Sequence, residues 1–233
     1  MRRERLGLLW LMALCFLLLS GCGFLYEPEE ESVPSRVSSA PVREEASPKP
    51  APLETPKPAP ENQNLLTGLP TLSRDAIGKR PVAVMVNNIF ESLPQYGISE
   101  ADLLFEIPVE YGITRLMAVY GDYTQVPQVC SVRSCRYYFP ILAVGYDAYY
   151  VHWGQDETIA TDVLNTLELD RMDGMADTYG LFSRDGERAA VGYAYEHTGV
   201  FDGPGLPAAL EENGVRTDLP VDKNDPFFDF NRQ

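Results

Sequence analysis

Leu103-Leu104-Phe105-Glu106-Ile107-Pro108-Val109-Glu110-Tyr111, followed by Gly112-Ile113 and Thr114-Arg115-Leu116-Met117-Ala118-Val119-Tyr120, decides the fold. Leu103, Phe105, Ile107, Val109 and Tyr111 alternate with Leu104, Glu106, Pro108 and Glu110, the period of two expected of a half-buried strand. A second apolar run returns from Thr114. A two-residue loop at Gly112-Ile113 would put glycine where a type II′ turn needs positive φ. That register sets Tyr111 opposite Thr114, Glu110 opposite Arg115, Val109 opposite Leu116 and Ile107 opposite Ala118. Glu110 and Arg115 then form a cross-strand ion pair worth a few tenths to ~1 kcal/mol. Pro108 has no amide hydrogen to donate, which places its strand at a sheet edge or a bulge.

Around this hairpin the chain reads as short strands and short helices. Arg80-Pro81-Val82-Ala83-Val84-Met85-Val86-Asn87 is almost wholly apolar, as a strand buried on both faces must be. Asp147 to Trp153 is a further strand, with Ala148, Tyr150 and His152 on one face and Tyr149, Val151 and Trp153 on the other. Asp156 is suited to cap a helix whose stripe is Ile159, Val163, Leu164 and Leu167. Residues 171–205 are glycine-rich and read as mostly loop. Leu206 to Asn213 suits a short helix, stopped at Asn213-Gly214. The expected fold is α+β: a mixed β-sheet carrying the 103–120 hairpin, with a few short helices packed on it, over residues 65–218.

The N-terminus is of another kind. Met1 to Arg5 is basic, Leu6 to Leu19 is an uncharged apolar run, and Leu19-Ser20-Gly21-Cys22 follows. The run falls short of the roughly 20 residues a bilayer crossing needs, so residues 1–21 read as a secretory signal. The ending resembles the bacterial lipobox, which implies acylation of Cys22 and membrane lipid as a partner. Acyl chains at ~0.8 kcal/mol per buried methylene would hold the protein on the outer face of the cell membrane. Residues 22–64 carry nine prolines and few large apolar residues, the composition of a disordered tether. Residues 219–233 read as the start of a further, truncated region.

Of 19 basic and 34 acidic residues, the signal takes three arginines and one glutamate. The remaining 16 basic and 33 acidic residues leave a net charge of −17. A chain so acidic is repelled by polyanions, so no nucleic-acid partner is expected.

Chemistry-bearing residue types concentrate between Val129 and Gly154. Arg133 and Arg136, on a helix, would share one face and hold an anion with Ser134 as an N-cap or extra donor. Pro140 limits that helix to a short or kinked turn. The same arginines have a structural alternative, pairing with Glu106, Glu110 or Asp147. Cys130 and Cys135 are an even pair in an oxidising compartment, which leaves three readings open: a disulfide, two buried thiols, or metal ligands with His152 and His197. C-x4-C with two distant histidines is a poor zinc signature, so no metal is expected. His152, at a strand end before a glycine, is a candidate general base or a half-buried sheet histidine. Asp185 and Glu196 are candidates to complete a polar cluster around Arg133, with Asp185 the weaker catalytic candidate beside His152. No Walker, dinucleotide or G-x-S-x-G motif occurs, and no cofactor is expected.

The blocks Asn64-Leu65-Leu66-Thr67-Gly68-Leu69-Pro70, Arg80 to Asn88, Gly112-Ile113-Thr114-Arg115, Val132-Arg133-Ser134-Cys135-Arg136 and Tyr146-Asp147-Ala148 with Val151-His152 resemble the DUF3048 family of YerB-type bacterial lipoproteins. The resemblance covers roughly residues 64–200. It implies importance for Arg115, Arg133, Ser134, Arg136 and His152, and it brings no assigned activity. Family members tend to have other residues at Cys130 and Cys135, which argues against a shared disulfide. Two functions are expected in turn. The first is a lipid-anchored extracytoplasmic protein binding an anionic or glycan envelope ligand, or an envelope protein, through Arg115, Arg133, Ser134, Arg136 and His152. The alternative is a wall-active enzyme on peptidoglycan or another envelope glycopolymer, with His152 and a carboxylate as acid and base.

Overall fold

The structure, a computed structural model, describes residues 59–228. The expected signal, Cys22 and the tether up to residue 58 lie outside the described residues, as do residues 229–233. A five-stranded sheet is built from β1 (Val82–Asn87), β2 (Leu103–Pro108), β3 (Thr114–Tyr120), β5 (Tyr149–His152) and β6 (Arg171–Asp173), in the order β2-β3-β1-β5-β6. β1, β5 and β6 run parallel; β3 is antiparallel to both β1 and β2. A second sheet is antiparallel, with β8 (Gly199–Asp202) between β4 (Gln128–Cys130) and β7 (Phe182–Arg184). The helices are α1 (Tyr138–Gly145), α2 (Ile159–Thr166), α3 (Gly186–Ala190) and α4 (Leu206–Glu212).

The expected α+β fold with a mixed sheet is what the chain forms. β1 is buried at every position, as its apolar run requires. Val82, Val84 and Val86 face the small sheet and α4, against Phe201, Leu206 and Leu210. Ala83 and Met85 face α1 and α2, against Phe139, Ala143 and Leu164. β2 alternates half-buried and exposed along its length and lies at the sheet edge, where Pro108 can be accommodated.

The hairpin register differs from the expected one. Ile107 lies opposite Arg115 and Pro108 opposite Thr114. The strand stops at Pro108, and Val109 donates its amide to the Ile113 carbonyl at 2.8 Å. Tyr111 (φ 60°) and Gly112 (φ 73°) both take left-handed backbone, so the loop is wider than two residues. Glu110 therefore sits in the loop, and the expected Glu110–Arg115 pair does not form.

Four further expectations are corrected or refined. Residues 171–205, read as mostly loop, also hold β6, β7, α3 and β8, which cover 15 of the 35 residues; strands of three or four residues are too short to show a period. The buried side of α2 is Ala160 and Leu164, while Ile159 faces solvent, and Asp156 caps from outside the helix by accepting from the Thr158 and Ala160 amides. Residues 62–64, read as the end of the tether, are already tied in: Asn64 is buried and bonds Leu69 and Leu66, and Asn62 bonds Pro70 and Leu72. Finally, Ser134 does not cap a helix. Residues 131–135 run as a largely extended segment, and α1 starts at Tyr138 with Pro140 in its first turn, where a missing amide hydrogen costs nothing.

Cys130 and Cys135 are both buried free thiols. A largely extended stretch rises about 3.3 Å per residue, which carries two cysteines five apart beyond the roughly 7 Å a disulfide spans. Cys130 points to the His197 carbonyl at 3.9 Å, and Cys135 packs with Met85 and Phe139 on the helix-covered face. Dithiothreitol is therefore expected to leave the melting temperature unchanged. A bond worth about 2 kcal/mol would instead reveal itself as a clear downward shift.

Candidate functional site

The extended segment Ser131–Cys135 lies where β1 and β5 end. Ser131 O accepts from the Asn87 amide at 3.0 Å, and the Arg133 amide bonds Met85 O at 3.0 Å. On the other side, the Trp153 amide donates to Arg133 O at 3.0 Å and the Cys135 amide to Gly154 O at 2.9 Å. The Val132 amide bonds Gly199 O at 2.9 Å, which joins the small sheet to the same point. The carboxyl ends of parallel strands thus hold a rigid backbone cross-piece, and Arg133, Ser134 and Arg136 are mounted on or next to it.

Arg115, Arg133 and Arg136 come close enough to repel one another. Arg115 enters from the start of β3 and is buried; its guanidinium donates to Ser134 O and, at 3.1 Å, to Ser134 Oγ. Arg136 makes a two-pronged pair with Glu110, through Nε to Oε1 and Nη2 to Oε2 at 2.8 Å. The arginines' structural alternative therefore holds for Arg136, with the loop position of Glu110 making the pairing available. Arg133 is different. Among the described residues it has no carboxylate within ion-pair distance, and its Nε is buried without a hydrogen-bond partner.

The electrostatics follow this arrangement. Burial, then the charges of Arg136 and Arg133, pull the Arg115 guanidinium down to about 10. Burial also lowers Arg133; Glu196 partly offsets this, while Arg136 and Arg184 reinforce it. Arg136 is raised, first by its bond to Glu110, and that bond holds the Glu110 carboxyl below its usual range. Three cations with one carboxylate in direct contact leave local positive charge in an acidic chain.

Residues from the small sheet complete the surroundings. Arg184 on β7 lies between the rings of Trp153 and Tyr195, 3.9 Å from each centroid, and gives Nη1–H to Tyr195 O at 2.8 Å. Glu196 acts on Arg133 through its charge. His197 is buried, with Nδ1 3.0 Å from Asn87 Nδ2. An amide N–H donated to Nδ1 leaves the ring proton on Nε2.

The other candidates have structural roles. Asp185 caps α3, accepting from the Glu187 and Arg188 amides at 3.0 Å each, and it takes the Tyr96 hydroxyl at 3.1 Å. Asp147 pairs with Arg80 and Arg216. His152 is 0 % exposed, stacks on Tyr150 and gives Nδ1–H to Gly154 O at 3.0 Å, while Nε2 is sealed from solvent. A general base has to reach the proton it removes, and this ring does not reach the surface. Among the described residues, no group of three or more His, Cys, Asp or Glu is placed to hold a metal ion.

Both histidines are held below their usual range, first by burial. The unfolded chain therefore binds protons near pH 6.5 that the folded one refuses, so stability is complete above that pH and falls as pH drops through it. The lowered carboxylates Glu110, Asp147, Asp156 and Asp185 act in the same direction but below about pH 4. A melting temperature that declines between pH 7.5 and 5.5, with a smaller slope in His152→Gln, is the expected result; a flat profile would contradict the buried neutral rings.

Sequence reasoning did not single out Asn87, or Arg184 as a stacked cation. Asn87 had a signal, a polar residue closing an otherwise apolar strand. Arg184 had none, because its sandwich joins positions 153, 184 and 195.

The sequence profile described as "Protein of unknown function (DUF3048) N-terminal domain" matches residues 66–216. The protein named "Putative lipoprotein YerB" of Bacillus subtilis (strain 168) is 42% identical over 113 residues, which are 45% of this chain and 33% of that protein. The crystal structure of the YerB protein from Bacillus subtilis superposes with a TM-score of 0.58 at 32% identity, over 66% of this chain and 50% of that chain. The matches span half or less of these relatives' length.

Proposed function

The chain belongs to the DUF3048 family, and from that premise we propose that it is a protein lipid-anchored on the outer face of the cell membrane that binds an anionic ligand of the cell envelope. Anchoring rests on the signal-like residues 1–21 with Cys22, together with the lipoprotein name of the relative. Binding rests on one observation: Arg133, on a backbone cross-piece shared by two strands, has a guanidinium that no group among the described residues bonds, with Nε buried and Nη1 and Nη2 not sealed as Nε is. A guanidinium held half-buried beside other cations costs free energy in the free protein, and an anion would offset it. Arg115 is committed to Ser134 and Arg136 to Glu110.

The enzymatic reading uses His152 as acid or base, and that ring is enclosed. The test is a pull-down and turnover assay on isolated cell walls with wild type, Arg133→Gln and His152→Gln. Binding lost in Arg133→Gln, with no product released by any of the three, is expected. Product release by wild type that is abolished in His152→Gln would overturn the reading.

A further inference from the structure

Next to Arg133 the small sheet presents a second guanidinium and an open aromatic face. β7 pairs Arg184 with Gly199, and the Gly199 carbonyl is the acceptor for the Val132 amide, so Arg184 and Arg133 flank one backbone position. Arg184 uses Nη1 on Tyr195 O, its Nε is buried, and no group among the described residues takes its Nη2. Trp153, the inner slab of its sandwich, is fixed in place. It packs edge-on against Phe182 at 5.4 Å, and a Cβ on Gly174 or Gly199 would meet its ring at 2.5 or 2.9 Å. Tyr195, the outer slab, is 70% exposed although Arg184 lies on one of its faces. Its other face is therefore open to solvent. Glu196, the next residue, is the carboxylate nearest in effect to Arg133.

We propose that the ligand of this site is an anionic saccharide, with its acidic group between Arg133 and Arg184, a sugar ring laid on the open face of Tyr195, and a sugar hydroxyl donating to Glu196. This rests on the anion-binding reading above and adds the class of ligand. The parts match the chemistry: a pyranose has a C–H face that packs on an aromatic ring, hydroxyls that need a carboxylate acceptor, and an acidic substituent that needs guanidinium donors. Inorganic anions use only the arginines. A nucleotide would use the arginines and the ring, yet gives Glu196 less to accept and meets a strongly acidic chain.

Calorimetric titration of the full chain with an oligosaccharide of glucuronic acid, its neutral glucose counterpart, inorganic phosphate and a nucleoside monophosphate tests this. Wild type is expected to prefer the uronic oligosaccharide. Tyr195→Ala should weaken it roughly tenfold and leave phosphate unchanged, Tyr195→Phe should restore it, and Arg133→Gln should weaken both ten- to a hundredfold. Equal, Tyr195-independent binding of saccharide and phosphate would overturn the saccharide assignment and leave the anion reading standing. Preference for the nucleotide with the same Tyr195 dependence would also overturn it. Failure of every anion to bind wild type, or binding untouched by Arg133→Gln, would sink both.

Discussion

Arg80→Met is expected to destabilise the fold by about 3 kcal/mol, the largest single-residue effect on stability foreseen for this domain. Arg80 is 1% exposed at the entry to β1, at the opposite end of the sheet from the candidate site. Its Nε gives a hydrogen bond to Asp147 O at 2.7 Å, and Nη1 bonds Asp170 at 2.5 Å and Arg216 O at 3.2 Å. The guanidinium also covers the Tyr149 ring at 4.3 Å. It thereby joins β1, the β5 turn, the start of β6 and the segment after α4. Methionine preserves most of the volume but loses three hydrogen bonds. Asp170 is partly exposed and can return to water, Asp147 keeps Arg216, and the Arg216 carbonyl keeps the Tyr149 hydroxyl, so the cost arises mainly from the Asp147 carbonyl and the lost fork. Lysine at this position supplies charge without the planar donors and is expected to recover less than half. Urea unfolding of the three proteins checks this; a loss under 1 kcal/mol for Arg80→Met would mean the hub is not structural.

The second large effect has the opposite character. Arg133→Gln is expected to reduce anion affinity by ten- to a hundredfold, the usual cost of removing a charged donor from a binding site, while stability stays the same or rises. Among the described residues no group bonds the Arg133 side chain, and burial with the charges of Arg136 and Arg184 already works against its charged form. Removing that charge relieves repulsion and strands nothing. Arg136→Gln should behave the other way. It unpairs Glu110, a contact about half exposed on the Glu side and worth a few tenths of a kcal/mol after screening, with a small effect on binding. An arginine whose loss costs function but not stability is the mark of a ligand site.

The sequence carries the main sheet well because β1 has six consecutive buried positions and β2 alternates cleanly; both patterns arise directly from which faces meet the core. The hairpin register was not legible. It depends on left-handed backbone at Tyr111, a residue type that seldom takes it, so the turn chemistry pointed to a tighter loop. The small sheet was hidden for a different reason: β4, β7 and β8 are three or four residues long, and β4 finds its partner β8 only 70 to 74 positions further along the chain. Within the candidate site, Arg115, Arg133 and Ser134 were visible as residue types and do meet. The expectation for His152 rested on a strand end followed by glycine. That placement says nothing about depth, and the ring is enclosed against Tyr150. Asp185 was a candidate for a polar cluster around Arg133, and its carboxylate is instead taken up as a helix cap by the Glu187 and Arg188 amides.

Calorimetric titration of an anionic wall glycopolymer into the full chain, wild type against Arg133→Gln, at low and at physiological salt, decides whether the arginine cross-piece is a binding site. Saturable binding by wild type that weakens with added salt and is lost in the stably folded Arg133→Gln protein is the predicted result. Equal heats and affinities for the two proteins would contradict it.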